Sequence, residues 1–213
     1  MRDYIKTRAV HFTDKAFLRP FLVALGLLVA ANIINYFAGT YATERASSPV
    51  TDIILSNTRV YDVDWLFVYG SLAFWVFLGF VWVHYIERFP FAIKTLSLFI
   101  VIRSIFISLT HIGPFVDQIQ WSSNILSKFS FGGDLFFSGH TGIPFLFALI
   151  FWDVKLMRYV FLALSAFFGT IVLMGHLHYS IDVLSAFFIT FSIYHIAEFI
   201  FQKDLALFTK RIA

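Results

Sequence analysis

The chain has 213 residues, 59% of them hydrophobic and 14% charged, against the ~25% charge of an average soluble domain. A water-soluble core cannot absorb that much apolar surface, and the lack of cysteine excludes disulfides, thiolate nucleophiles and cysteine-ligated metals. The formal net charge is +3, but the cations sit in short segments between apolar runs, a pattern of membrane topology and not of nucleic-acid binding.

A basic arm, residues 1–16, opens the chain and suits the membrane surface. Six stretches then approach the ~20 apolar residues needed to cross ~30 Å of hydrocarbon. They are Phe17–Phe37, Trp65–Tyr85, Ala92–Ile112, Leu135–Trp152, Met157–Gly175 and Ile181–Phe201. The first run is longer than a signal-peptide core, and its Asn32 and Asn35 suit a retained helix that packs on others. No repeat, low-complexity tract or long linker divides the chain. The expectation is an all-α fold: a single six-helix transmembrane bundle over 1–213, with a tail at 202–213. The 29 Phe are expected to face lipid and neighbouring helices.

Most of the 16 basic residues fall on one side of that bundle. Arg2, Lys6, Arg8, Lys15 and Arg19 precede the first span; Arg88, Lys94, Lys155 and Arg158 flank alternate loops; Lys203, Lys210 and Arg211 follow the last span. The opposite side holds Arg45, Arg59 and Lys128, and Arg103 lies inside the third span. Positive loops stay cytoplasmic, so both termini are expected there.

Polar groups fit for chemistry are scarce and gather on the non-cytoplasmic side: Pro49–Asp52, Gly132–Thr141 and His176–Asp182. His178 and Asp182 are four residues apart, so a helical turn would put them on one face. The carboxylate can then hold one imidazole nitrogen as a donor and leave the other as a nucleophile toward phosphorus; alternatively the pair only caps or orients the last helix. Ser138-Gly139-His140-Thr141 leads into the fourth span, with Gly139 permitting close backbone approach and Thr141 as the expected N-cap, Pro144 following in the first turn. Free amides at a helix start favour phosphate, and His140 beside them can protonate a departing alkoxide. The fourth span is short for a crossing, so either its helix begins before His140 or the site is sunk below the surface. A zinc site made of His140, His176, His178 and Asp182 is the competing use of the same residues. His84 and His195 read as packing histidines, and His111 is left unassigned.

Ser-Gly-His-Thr followed some forty residues later by His-Tyr-Ser-Ile-Asp-Val resembles the phosphatidic acid phosphatase type 2 (PAP2) superfamily, and within it the sphingomyelin synthase branch. The resemblance runs from Pro49 to Thr190, including Gly133-Asp134 and Arg103–Thr110. It departs from that branch at Gly132, where animal enzymes carry Cys, and at Ser180, where Thr is usual. It implies His178 as nucleophile, Asp182 as its orienting partner and His140 as acid and then base. Ser138, Gly139, Arg103, Asp134 and Tyr179 are expected to bind substrate, with no metal or cofactor.

The superfamily's phosphatases carry an Arg six residues before the nucleophile, where this chain has Val172, and a Lys seven before an Arg-Pro, which it lacks. Fewer cations suit a phosphodiester, with one negative charge, better than a phosphomonoester. The expected activity is therefore transfer of a phospho-headgroup from a membrane phospholipid donor to a lipid alcohol acceptor such as ceramide, on the outer or lumenal face of a plasma, inner, Golgi or endoplasmic reticulum membrane. A lipid phosphatase or phospholipase C-like hydrolase, and a lipid or ion transporter, are the alternatives. Oligomeric state is left open, and no nucleic acid is expected.

Overall fold

A computed structural model describes residues 14–117 and 135–209. The arm expected over 1–16 lies mostly outside the described residues, as do Asp134, Gly132, Gly133, Lys128, Lys210 and Arg211. The described chain is helical: α1 (Lys15–Glu44), α2 (Asp64–His84), α3 (Phe89–Leu109), α4 (Gly139–Ile150), α5 (Lys155–Met174), α6 (Ser180–Ile200) and α7 (Gln202–Thr209). Five of these, α1, α2, α3, α5 and α6, are long and apolar enough to cross a membrane, which marks an integral membrane protein.

The expected fourth span is where the structure differs. Instead of Leu135–Trp152 the helix covers Gly139–Ile150, 12 residues, or roughly 18 Å. Ser138 caps it, its Oγ accepting from the Thr141 amide at 3.3 Å. The cap is thus Ser138 and not Thr141, which moves Pro144 from the first turn into the second. There the missing N–H leaves the His140 carbonyl without its helical donor. At the other extreme α1 runs for 30 residues, continuing past Phe37 through polar sequence in which Thr40 and Thr43 satisfy their hydroxyls on the carbonyls of Tyr36 and Gly39.

Small residues set the packing. Ala24, Ala31, Ala38 and Ala42 form the buried stripe of α1, which lets it lie close against α3. Gly142 on α4 does the same at the crossing with α3 and α6: a Cβ there would come within 2.9 Å of the Phe99 ring and of Thr190 Oγ1. Around them Phe74, Phe91, Phe99, Phe147, Phe161 and Phe168 fill the core, so part of the phenylalanine excess is interior and the exposed remainder coats the outside.

The helix ends fall into two groups. At one end Phe21 stacks on Phe89, Arg88 forms a bidentate pair with Asp153, and Lys94 meets Asp204 of α7 at 2.7 Å. Lys15, Arg19, Lys155, Arg158 and Lys203 lie near these contacts. The other end gathers the loops. There Ser47 bonds to the His111 carbonyl, Asp52 to the Ser180 amide, and Tyr61 to the Met174 carbonyl. Every histidine and acid expected to do chemistry, where described, is at this second end.

Because Arg88 also donates to the Ile150 carbonyl at 2.9 Å, the C-terminus of α4 is fastened to the basic end. Its N-terminus therefore stands only roughly 18 Å from that end. Of the two alternatives left by the sequence, the helix does begin before His140, by one residue.

Candidate active site

His178 lies in the turn between α5 and α6. Its Nδ1 stands 2.9 Å from the Leu135 carbonyl oxygen and 3.5 Å from Asp182 Oδ2. A carbonyl only accepts, so Nδ1 is the donor, and in the neutral ring the lone pair is on Nε2. Asp182 is fully buried. Its Oδ2 accepts from the Tyr179 amide at 2.9 Å, closing the first turn of α6. The closest partner of the imidazole is thus a backbone carbonyl, with the carboxylate beside it. His178 and Asp182 do come together, though through a helix cap and not as two positions within a helix.

His140 enters from α4. Its ring lies against Phe67 of α2, centroids 4.3 Å apart, and near Phe168 of α5. Three contacts hold the start of α4. The Ser138 amide donates to the Asp182 carbonyl, Ser165 Oγ donates to the Thr141 carbonyl at 2.8 Å, and Arg103 Nε donates to the Phe137 carbonyl at 3.0 Å. Phe137 itself has φ 29°, a left-handed conformation that costs a non-glycine residue roughly 1–3 kcal/mol. Its ring, fully buried against Phe99 and Phe106, offsets that cost. The turn aims Ser138 into its capping position.

A cavity of about 500 Å³ joins these groups. His140, His178, Gly139 and Arg103 line its upper part, and Leu28, Phe74, Leu96 and Ile143 its apolar lower part. A Cβ on Gly139 would meet the Arg103 side chain at 3.5 Å, an ordinary van der Waals contact, so the two residues lie side by side on the cavity wall. Asn32 and Trp75 also line the space while remaining exposed, which opens it sideways between α1 and α2. The arrangement combines a directed imidazole lone pair, a second imidazole, a guanidinium and a lipid-facing entrance.

The remaining expected residues fall elsewhere. Tyr179 is buried beneath the loops, its hydroxyl donating to the Gly113 carbonyl at 2.8 Å and accepting from the Val50 amide at 3.2 Å; burial pushes its phenol up from the usual range. Ser138 is fully buried as a cap, and neither residue lines the cavity. His176, at φ 53°, turns away to Thr58 and the Phe115 ring. Among the described residues no three His, Asp or Glu side chains are arranged to hold a metal ion. His111 packs on Tyr41, His84 bonds to the Phe80 carbonyl, and His195 pairs with Glu198, all outside the cavity.

Asp52 is the acid whose role the sequence leaves unstated. One oxygen accepts from the Ile54 and Leu55 amides, and the other from Ser180 at 2.7 Å. Burial alone would raise its pKa, but these bonds from Leu55, Ser180 and Ile54 together outweigh it and hold the carboxyl below the usual range. It clamps the start of α6 two residues after His178.

A helical membrane protein with two histidines and an arginine lining an otherwise largely apolar cavity is the class that this fold and site define. Residues 132–199, about a third of the chain, match the family described as PAP2 superfamily C-terminal, and that segment carries His140, His178 and Asp182. The match supports PAP2 superfamily membership and an enzyme of the lipid phosphatase and phosphotransferase type. No curated protein and no solved structure matches the chain.

Proposed function

We propose that the protein is a lipid phosphotransferase working through a phosphohistidine. His178 Nε2 attacks the phosphorus of a phospholipid diester, and the P–O bond to the diacylglycerol oxygen breaks. His140, protonated at that stage, gives its proton to the departing alkoxide. The acceptor's hydroxyl then surrenders its proton to His140 and attacks phosphorus, the P–N bond breaks, and both histidines return to their starting states. Arg103 steadies the phosphoryl oxygens from the cavity wall, Asp134 is proposed to contact the headgroup, and Ser138 acts through the helix start that it caps. Tyr179 acts through the loop it fastens.

The observation that carries this reading is the His178–Leu135 hydrogen bond, which engages Nδ1 and leaves Nε2 as the ring nitrogen available for attack beside a cavity of about 500 Å³. Transfer is favoured over phosphomonoester hydrolysis by position 172. Val172 is fully buried with Leu177 and Val183, so the cation that a doubly charged monoester would need there is replaced by packing. The charge asymmetry of the two ends supports placing the histidines on the non-cytoplasmic side.

Incubation of purified protein with headgroup-labelled phospholipid, with and without ceramide, tests the proposal. Acceptor-dependent labelled product is expected. Headgroup release independent of acceptor would assign the hydrolase reading instead.

A further inference from the structure

The cavity contains polar groups that the phosphoryl chemistry does not use. Phe67 lies against the His140 ring, and Ser71, four residues on, lines the same cavity one helical turn deeper. Its hydroxyl is buried with no hydrogen-bond partner among the described residues. Ser97, Ser104, Thr170 and Ser192 each donate instead to the carbonyl four residues back; Ser71 shares its unpartnered state with Thr190, which does not line the cavity. A buried hydroxyl left unbonded is destabilising, and a ligand group would relieve it.

Across the cavity stand Asn35 and Asn32 of α1. Asn35 Oδ1 is 3.4 Å from Ser104 Oγ, next to Arg103 in sequence, which sets Asn35 at the level of the catalytic roof. Asn32 is nearly one turn below it, at the depth of Ser71. The Asn32 amide nitrogen donates to the Leu28 carbonyl at 2.8 Å. That bond fixes the orientation of the amide and turns its oxygen, an acceptor, outward. A second apolar groove, lined by Val29, Ile33, Tyr36 and Phe37, shares Leu28 and Asn32 with the cavity, so an acyl chain has a continuous path over α1 to this point.

From this geometry we infer that Asn32 and Ser71 form the subsite for the acceptor lipid, and that they select an alcohol carrying an amide N–H next to its hydroxyl over one carrying only esters. Asn32 Oδ1 takes the N–H, and Ser71 donates to the amide carbonyl. An ester-linked alcohol offers carbonyl acceptors alone and leaves Asn32 Oδ1 unmatched. The amide of such a lipid follows its hydroxyl by a few bonds, about the spacing of one helical turn between this pair and the histidines. The inference rests on the transfer reading above but is tested without turnover.

The full chain in lipid nanodiscs would be photolabelled with an N-acyl amino alcohol bearing a diazirine in its acyl chain, in competition with either ceramide or diacylglycerol. Ceramide should block labelling at about tenfold lower concentration than diacylglycerol. Asn32→Leu and the milder Ser71→Ala should each move that ratio toward one. Equal competition by the two lipids on the wild-type chain, or an unchanged ratio in both variants, would overturn the subsite. Absence of acceptor-dependent transfer in the wild type would instead overturn the reaction and leave the binding preference to stand on its own ratio.

Discussion

The imidazole Nδ1 of His178 lies 2.9 Å from the carbonyl oxygen of Leu135, 43 residues earlier in the chain. The bond joins the two segments that supply the histidines and engages Nδ1, leaving Nε2 for the attack proposed above. His178→Ala removes the proposed nucleophile while leaving the backbone contacts in place. Turnover should fall by on the order of 10³ or more, with thermal unfolding of the detergent-solubilised protein little changed. Turnover within tenfold of wild type would exclude His178 from the chemistry.

Asp182 has a smaller predicted effect than a carboxylate that alone sets the tautomer of its histidine. Loss of such a sole anchor costs ~10⁴ in rate. Here the Leu135 carbonyl holds Nδ1–H, and Asp182 acts on the ring at 3.5 Å and on the Tyr179 amide. Asp182→Asn should therefore lower single-turnover phosphoryl transfer by roughly 10- to 100-fold, as expected for a supporting partner.

Gly142 tests the packing of α4 against α3 and α6 beside the site. Ala at this position would drive a methyl against the Phe99 ring and Thr190 Oγ1, each at 2.9 Å. Both neighbours are fully buried or nearly so. Overpacking of this kind typically costs ~1–3 kcal/mol, so Gly142→Ala should lower the unfolding midpoint, whereas Gly26→Ala, where a Cβ meets nothing within 4 Å, should not.

The Asp52 clamp has a defined pH window. Its folded pKa is depressed, so its contribution to stability is fully present above the ordinary carboxylate value of ~3.9. That contribution is lost as pH falls below this value and through the lowered one. Hydrogen exchange at the Ser180 amide should stay protected from pH 7 to about 5. Asp52→Asn should raise that exchange throughout the range and reduce turnover through the displaced His178 turn.

The composition and spacing of apolar runs make the helical membrane fold legible, because hydrocarbon demands continuous helices. The His178–Asp182 pair is legible for a related reason: titratable groups are costly in such a chain, so each one stands out. Ser138 and Thr141 are both competent caps, and the contacts of Ser138 with Asp182 and of Thr141 with Ser165 decide between them. That decision shortens the fourth helix and leaves five of spanning length. The carbonyls of Leu135 and Phe137 are invisible in sequence because every residue has one. Tyr179 is read as a substrate contact from its place in the motif, whereas its hydroxyl is bound to Gly113 and Val50, loops whose approach is tertiary. Asn32 reads as a packing residue, and only the tertiary structure shows that it lines the cavity.

The most direct measurement is mass spectrometry of the protein quenched during turnover without acceptor, under alkaline conditions that preserve phosphoramidates. The account predicts a phospho-headgroup adduct on His178 that disappears on adding ceramide and is absent from His178→Ala. An adduct on another residue, or turnover with no adduct at any quench time, would contradict it.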